Sequence, residues 1–346
     1  MRSSDHNFDI KFMRLAIDLA KKGQGFVSPN PLVGAVLVLA GKVIATGFHG
    51  YFGDRHAEAK LLEDFLAQGG VITGQEILYV TLEPCCHYGK RPPCVDAILA
   101  SGVKNVIVGS LDVNPLVSGK GIEILRQNGV RVELIPDFQE ELAELNRVFV
   151  HWMTTGLPYF VGKMSMNCFG QIAESANVRT AISGSEFSEF VRSELRPSLS
   201  TILIGKNTLL TDNPNLGAKD GLYQPLRVCL GDPGLDELQR QDYAFFRDQN
   251  FLIVEDSGEN FAKLIELLVE RNVASVLVEG GSLVMANMLK SGLLAELMIA
   301  LNADAPYFPN GLMGFTDLPT AIRKQKDKLK IERLGQDTVI TWRLKS

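Results

Sequence analysis

The sequence predicts an α/β protein with two domains. Its 346 residues suffice for two domains of ordinary size, and 46% of them are hydrophobic, a share typical of chains that bury a sizeable core. Strand and helix patterns alternate over roughly the first 135 residues, which favours a mixed sheet packed between helices. The segment Gly156-Leu157-Pro158 breaks a helical pattern, and a new α/β pattern follows it. We therefore expect domains over 1–150 and 151–346.

The elements of the first domain can be predicted in order. Apolar residues at helical spacing predict a helix over 8–22, and two apolar runs around Ala40-Gly41 predict a hairpin of strands 33–39 and 42–48. The elements expected after this hairpin are a helix over 54–66, a strand over 76–81, a helix from Cys94 to Gly102, a strand over 105–110, a helix over 121–129, a strand over 131–135 and one long helix over 137–155.

The second domain is expected to add a further sheet. Its predicted strands are 159–165, 201–205, 226–230, 251–254, 275–278, 297–301 and a terminal hairpin of 329–334 with 338–344. Its predicted helices are one that a Ser183-x-x-Glu186 capping box opens and that ends at Leu195, one over 261–271 and one over 282–291.

Composition excludes several classes of function. The net charge of −5 supplies no overall basic field for nucleic acid. The five cysteines are an odd and unevenly spaced set, which fits a reducing compartment rather than a disulfide framework. The first residues lack the apolar core of a signal peptide, and no apolar run is long enough to span a membrane. We expect a soluble, cytoplasmic protein without nucleic-acid or membrane partners.

Two nearby motifs predict a zinc site. The tripeptide His56-Ala57-Glu58 precedes the stretch Thr81–Cys94, which reads TLEPCCHYGKRPPC. A catalytic zinc keeps three protein ligands, and His56, Cys85 and Cys94 would provide them. Glu58 is then the unligated carboxylate of a zinc-dependent base deaminase, in which the metal activates a water and the Glu moves protons.

Other interpretations of these residues exist. A purely structural zinc would recruit a fourth ligand, and Cys86 or His87 could serve. Cysteines in a reducing compartment are also often small buried hydrophobes. An open three-ligand site beside a free Glu is what hydrolysis needs, and this favours the catalytic interpretation.

Together with Asn30-Pro31-Leu32-Val33-Gly34, these motifs resemble the pyrimidine deaminase family of riboflavin biosynthesis. That family also has a long insertion between its two thiols, unlike the P-C-x-x-C signature of other deaminases. The resemblance implies a cytidine-deaminase-like three-layer α/β/α domain. It also implies that Asn30 and His49 line the substrate pocket, that Lys90 approaches a phosphorylated pyrimidine, and that Asn114 matches a D-P-N-P motif whose first Pro is Val113 here.

The second half resembles the reductase of the same pathway, a dihydrofolate-reductase-like α/β fold that uses NADPH. The matching motifs are P-Y-x-x-x-K from Pro158, ILIG-x-x-T-x-x-x-D-x-P from Ile202, and VEGG from Val278. The resemblance implies that the cofactor is bound by Lys163, Thr208, Asp212, Gly280 and Gly281, and that the reductase substrate is bound by Arg196, Leu216, Lys219 and Glu279.

This half departs from the family pattern at four places. Phe169 replaces an Asp, Arg179 replaces a Ser, and Ala181 replaces a Trp. The family segment P-K-L-L-G is missing after Leu301, where the chain reads NADAPYF. Hydride transfer depends on accurate placement of the cofactor, which these losses affect.

Taken together, the two resemblances imply a bifunctional, homo-oligomeric enzyme that requires Zn²⁺ and NADPH. It would deaminate a diamino-ribosylamino-pyrimidinone phosphate and then reduce the ribosyl group to ribityl. Two alternatives stay open. The second domain could be degenerate, leaving a monofunctional deaminase, or the zinc could stabilise a non-catalytic assembly module.

Overall fold

The structure is a computed structural model that describes residues 2–88, 92–114, 117–175, 178–219, 221–255, 261–314 and 329–344, with side chains from residue 9 onward. The chain divides into two compact units, Met1–Gly156 and Leu157–Ser346. None of the described helices is long and apolar enough to cross a membrane.

The first unit contains one sheet and helices on both of its faces. The helices are α1 (Arg2–Ala20), α2 (Ala57–Ala67), α3 (Cys94–Ser101), α4 (Lys120–Gln127), α5 (Gln139–Leu145) and α6 (Arg147–Thr155). The strands are β1 (Gly34–Leu39), β2 (Lys42–Phe48), β3 (Ile77–Val80), β4 (Asn105–Val108) and β5 (Arg131–Leu134).

The five strands lie in the order β2-β1-β3-β4-β5, with β1 antiparallel to both of its neighbours and the last three strands parallel. Alternate residues of β1 enter different cores, because successive side chains of a strand point to opposite faces. Ala35 and Leu37 pack with apolar residues of α2, α3 and α4, whereas Val36 and Val38 pack with those of α1. The predicted three-layer α/β/α arrangement is confirmed.

The long helix expected over 137–155 is in fact interrupted at Asn146. A short turn of 3-10 helix, Pro136–Phe138, leads into α5, and α6 starts after Asn146. The Asn146 side chain bonds to the backbone of Leu32, accepting from its N–H at 2.7 Å and donating to its C=O at 3.1 Å. An Asn that bonds to backbone elsewhere competes with helix continuation, which explains the break.

The second unit contains a larger sheet. Its helices are α7 (Ser185–Phe190), α8 (Lys206–Asp212), α9 (Glu237–Arg240), α10 (Ala262–Glu270) and α11 (Ser282–Lys290). Its strands are β6 (Tyr159–Asn167), β7 (Gln171–Ala173), β8 (Thr201–Gly205), β9 (Leu226–Leu230), β10 (Phe251–Val254), β11 (Ser275–Val278), β12 (Leu294–Asn302), β13 (Leu312–Met313), β14 (Leu329–Leu334) and β15 (Asp337–Arg343).

Eight of these strands lie in the order β10-β9-β8-β11-β6-β12-β15-β14, and β7 pairs with β13 in a small separate sheet. The strands from β10 to β12 are parallel, and the terminal hairpin of β14 and β15 adds antiparallel pairs at one edge. Every residue of β8 and β11 is buried, as expected of central parallel strands with both faces covered.

The capping box predicted at Ser183 and Glu186 is wrong. Helix α7 follows Gly184, and no side chain caps it. The Gly184 N–H instead donates to a carboxylate oxygen of Asp337 at 2.7 Å, which ties the helix start to the terminal hairpin. This contact spans 153 residues of sequence, so local pattern could not reveal it.

Candidate active sites

Three predicted ligands converge in the first unit. The Nδ1 atom of His56 lies 3.5 Å from the Sγ atom of Cys85 and 3.3 Å from that of Cys94. All three ligand atoms lie within 4.8 Å of one another. Zinc bonds of about 2.0–2.3 Å place the ligands of a tetrahedral ion roughly 3.5 Å apart. The donor set and its spacing therefore fit zinc.

Local structure explains this convergence. His56 is the residue before α2, Cys85 follows β3, and Cys94 is the first residue of α3. The backbone N–H of Cys94 donates to Cys85 Sγ at 3.3 Å. The hydrogen bond from the Cys94 thiol, helped by His56, lowers the pKa of Cys85 to about 4 against the opposing effect of burial. Cys85 is therefore a thiolate, the form that binds metal.

The alternative ligands Cys86 and His87 lie apart from this cluster. Within the described part of the chain, the group able to hold a metal consists of His56, Cys85 and Cys94. Cys86 packs against the apolar core of the sheet, and His87 lines the cavity that opens onto the cluster without belonging to the ligand group. The geometry favours an open site with three protein ligands.

Glu58 lies beside the cluster in the first turn of α2. It is 3% exposed, and burial, with the nearby charge of Cys85, raises the pKa of its carboxyl to about 7. A group that titrates near neutral pH can both accept and return a proton. A bound dication would lower this pKa by favouring the carboxylate.

A cavity of about 270 Å³ opens onto the cluster. Its lining includes the predicted residues Asn30, His49, His56, Glu58, Cys85 and Asn114. The Asn30 amide nitrogen lies 3.1 Å from His49 Nε2, and His49 Nδ1 lies 3.2 Å from the Arg55 carbonyl oxygen. Burial lowers the pKa of His49, so the ring is neutral, donating from Nδ1 to Arg55 and accepting at Nε2. The predicted substrate residue Lys90 lies outside the described residues.

Sequence reasoning missed the contribution of Glu83. Its buried carboxylate accepts backbone N–H groups of Gly119 at 2.8 Å, of Gly121 at 3.0 Å, and of Asp112 and Ile122 at 3.3 Å. Glu83 therefore holds the start of α4 and the segment that contains Asn114 against the end of β3. An acidic residue three positions after the end of a buried strand was the available signal.

Helix α6 was also missed as part of this site. Phe149, Trp152 and Met153 line the same cavity, and Asn146 fixes the backbone two residues after Asn30. Their helical spacing is visible in the sequence, but no local pattern shows which surface the helix covers.

The second unit contains a larger cavity, of about 520 Å³. Its lining includes all five predicted cofactor residues, Lys163, Thr208, Asp212, Gly280 and Gly281, and two predicted substrate residues, Leu216 and Glu279. Burial lowers the pKa of Lys163, and the negative charge of Glu279 opposes that shift.

The Gly280-Gly281 pair suits a phosphate-bearing cofactor. A Cβ atom at Gly280 would lie 2.9 Å from Thr208 Cγ2, and Gly281 has a φ of +70° directly before α11. Both positions therefore require glycine, which leaves backbone accessible at the N-terminus of a nine-residue helix. Such a helix start favours phosphate groups, so the cavity fits NADPH.

The other two predicted substrate residues, Arg196 and Lys219, form ion pairs and are not part of this cavity lining. Arg196 forms a bidentate ion pair with Glu279, with Nε–Oε1 and Nη2–Oε2 distances of 2.6 and 2.9 Å. Its Nη1 donates to the carbonyl groups of Asn215 and Gly217 at 2.8 and 2.9 Å. Lys219 is exposed and pairs with Glu189 at 2.8 Å. The structure places Arg196 behind the cavity wall, where it fixes the segment that carries Leu216.

The departures from the family pattern fall at different places. Arg179 and Ala181 line the 520 Å³ cavity. Phe169 is exposed and packs edge-on against Tyr307, with ring centres 5.2 Å apart, away from the cavity lining. The altered segment after Leu301 is anchored by Asn302, whose amide donates to the Ile182 carbonyl at 2.6 Å.

Comparisons with known proteins identify the family of each unit. The family described as the cytidine and deoxycytidylate deaminase zinc-binding region matches residues 6–110, and the RibD C-terminal domain matches residues 158–303. The riboflavin biosynthesis protein RibD of Aquifex aeolicus is 33% identical over 97% of this chain and 98% of its own length. That of Bacillus amyloliquefaciens is 34% identical over 90% of this chain and 87% of its own.

Solved structures extend this similarity to the fold. The structure of a diaminohydroxyphosphoribosylaminopyrimidine deaminase/5-amino-6-(5-phosphoribosylamino)uracil reductase from Thermotoga maritima is 33% identical, covers 98% of this chain and 99% of its own, and has a TM-score of 0.82. A structure of Acinetobacter baumannii RibD is 28% identical over 97% and 99% of the chains, with a TM-score of 0.83. The chain therefore belongs to the RibD family of riboflavin biosynthesis proteins, with a zinc-binding deaminase domain followed by a reductase domain.

Proposed function

We propose that this chain catalyses two consecutive reactions of riboflavin biosynthesis. The first removes the exocyclic 2-amino group of 2,5-diamino-6-ribosylamino-4(3H)-pyrimidinone 5′-phosphate by hydrolysis and releases ammonia. The second reduces the ribosyl group of the product to ribityl with NADPH. The observation that carries the proposal is the open cluster of His56, Cys85 and Cys94 with buried Glu58 at the same cavity.

His56, Cys85 and Cys94 would hold the zinc ion. A zinc ion with one open position lowers the pKa of water to about 7 and so supplies a nucleophile at neutral pH. Glu58 accepts the proton of the attacking water and delivers it to the departing amino group. Its burial supports this role, because the carboxyl is shielded from bulk water and titrates near neutral pH.

Asn30, His49 and Asn114 would bind the polar edge of the pyrimidine. The Asn30 amide is oriented by a neutral imidazole, which is itself fixed by the Arg55 carbonyl. An amide held in this way can pair with the donor and acceptor groups of a heterocycle. Assignment of Lys90 to the substrate phosphate rests on the family resemblance.

In the second unit, Lys163, Thr208, Asp212, Gly280 and Gly281 would bind NADPH, which supplies the hydride. Leu216 and Glu279 line the same cavity and would face the substrate. The predicted contacts of Arg196 and Lys219 would need their present ion pairs to rearrange. Arg179 brings a positive charge to the cavity lining, which suits the substrate phosphate.

A coupled assay on the purified chain tests the proposal. We expect about one catalytic zinc per chain, ammonia release from the diaminopyrimidinone phosphate, and NADPH oxidation once the deaminated product is present. Ammonia release without NADPH oxidation would indicate a monofunctional deaminase. Zinc without either activity would indicate a non-catalytic assembly module.

We also propose that the protein works in the cytoplasm as a homo-oligomer without nucleic-acid partners. The net charge of −5 and the unevenly spaced cysteines support this environment. Light scattering of the purified protein would give its assembly state.

A further inference from the structure

Helix α6 presents an apolar stripe to the deaminase cavity. Phe149, Trp152 and Met153 lie three and four residues apart, which places them on one face of the helix. All three line the 270 Å³ cavity. No residue of α6 is fully buried, although an apolar stripe of this kind normally packs into a core. The stripe therefore borders the cavity and is available to contact a ligand that binds there.

The polar residues of the cavity leave part of the substrate unaccounted for. Asn30, His49 and Asn114 offer hydrogen bonds to the edge of a pyrimidine, and Glu58 serves the reaction. A planar heterocycle also has two faces, which aromatic side chains cover by stacking. The stripe on α6 offers such a surface beside these polar groups.

Trp152 is the best placed of the aromatic residues. Phe149 also lines a second cavity, together with Asn146 and Val150, and so is shared between two spaces. Phe52 lies in a loop and is 39% exposed. Trp152 has a larger ring system than Phe52 or Phe149, and it lies about one turn after Phe149 on α6.

Asn146 sets the position of this helix relative to the polar groups. Its side chain bonds to both the N–H and the C=O of Leu32, at 2.7 and 3.1 Å, across 114 residues of sequence. Leu32 is two residues from Asn30. The start of α6 and the Asn30 loop are thus fixed to each other, as a site that contacts both the edge and the face of a ring requires.

We propose that Trp152 is a specificity-determining residue of the deaminase reaction, whose indole covers one face of the substrate's pyrimidine ring. The inference rests on the proposed deaminase function. It assigns to α6 a direct contact with the substrate. It also predicts that the enzyme requires a planar aromatic ring in its substrate, in addition to the polar groups that Asn30 and Glu58 contact.

The kinetic test compares Trp152→Ala, Trp152→Phe and Val148→Ala. Removal of a stacking aromatic should raise the KM for the diaminopyrimidinone phosphate by about 10-fold or more and change kcat little, because the contact is made in both ground and transition states. Trp152→Phe should recover most of the affinity. Val148→Ala alters a half-buried residue of the same helix outside the cavity lining and should behave as wild type. Zinc content and NADPH oxidation on the deaminated product check that the variants are folded.

A second test does not depend on turnover. The chain has two tryptophans, Trp152 and Trp342, and the latter lies in the apolar core of the second unit. Titration of zinc-loaded Glu58→Gln protein, which turns the substrate over slowly, with the diaminopyrimidinone phosphate should quench its fluorescence to saturation. The Trp152→Phe substitution is examined in the same background. The quenching should be lost in Trp152→Phe, which retains Trp342.

Two results would overturn the inference: a wild-type KM in Trp152→Ala, or undiminished quenching in Trp152→Phe. If Trp152→Ala loses zinc, the quenching experiment on Trp152→Phe still decides. Failure of the proposed function is a separate outcome, since the wild type would then release no ammonia from this substrate at all.

Discussion

The carboxylate of Glu83 offers a quantitative test of how the deaminase site is positioned. It accepts four backbone N–H groups, two of them at 2.8 and 3.0 Å. Glu83→Gln keeps one acceptor oxygen and replaces the other with an NH₂ group. That NH₂ group would face two backbone N–H donors and could not accept from them. Hydrogen bonds to a charged acceptor each contribute about 1.5–3 kcal/mol, so loss of two should cost roughly 3–6 kcal/mol before relaxation. We expect a measured loss of about 3 kcal/mol in the free energy of unfolding of the first unit.

The assay is urea unfolding in a Trp342→Phe background, so that Trp152 alone reports the first unit. The KM of the deaminase should also rise, because the loop that carries Asn114 loses its anchor. Glu123→Gln is the matched control, since Glu123 is an exposed residue of α4, the helix whose start Glu83 holds, and its change should stay within about 0.5 kcal/mol. A Glu83→Gln protein with wild-type stability and KM would refute the reasoning.

Three further predictions concern residues around the two sites. Cys86→Ser should retain about one zinc per chain and most deaminase activity, since Cys86 lies outside the ligand cluster, and loss of zinc would contradict the ligand assignment. Asn146→Ala should cost about 1–3 kcal/mol and raise the deaminase KM, because it leaves the N–H and C=O of Leu32 without this partner, and an unchanged KM would separate Asn146 from the pocket. Burial raises the pKa of Glu279, but the charge and hydrogen bonds of Arg196 outweigh it and lower the pKa below the ordinary value. The ion pair of Arg196 with Glu279 therefore contributes to the free energy of unfolding above the ordinary pKa of Glu, and this contribution declines as the pH falls through the lowered pKa. Glu279→Gln should abolish this acid dependence and, by leaving Arg196 buried without its anion, cost about 3–5 kcal/mol, as urea unfolding at several pH values would show.

The parts of the fold that sequence could predict are those with strong local patterns. Strands such as Lys42–Phe48 and Thr201–Gly205 have the predicted bounds, because continuous or alternating apolar residues between turns define them. The break at Asn146 and the start of α7 at Gly184 depend on partners 114 and 153 residues away, at Leu32 and Asp337. No window of local sequence contains such information.

The same distinction between local pattern and distant partners applies to the residues of the two sites. The zinc ligands could be predicted because the chemistry of zinc requires particular side chains, and these occur at a strand end and at two helix starts. The engagement of Arg196 with Glu279, 83 residues away, was not predictable from either motif alone. Nor was the contribution of Trp152, whose helical pattern shows an apolar face but not the cavity that this face borders.

The most direct test of the central claim is to measure ammonia release and zinc content together in Glu58→Gln and in the wild type. Glu58 is buried beside the three ligands without belonging to the cluster that they form. The variant should therefore keep its zinc and release ammonia about 10²–10⁴-fold more slowly, the usual contribution of general acid–base catalysis. Ammonia release near the wild-type rate, or loss of zinc from the variant, would contradict the assignment of Glu58 as the proton carrier of an open zinc site.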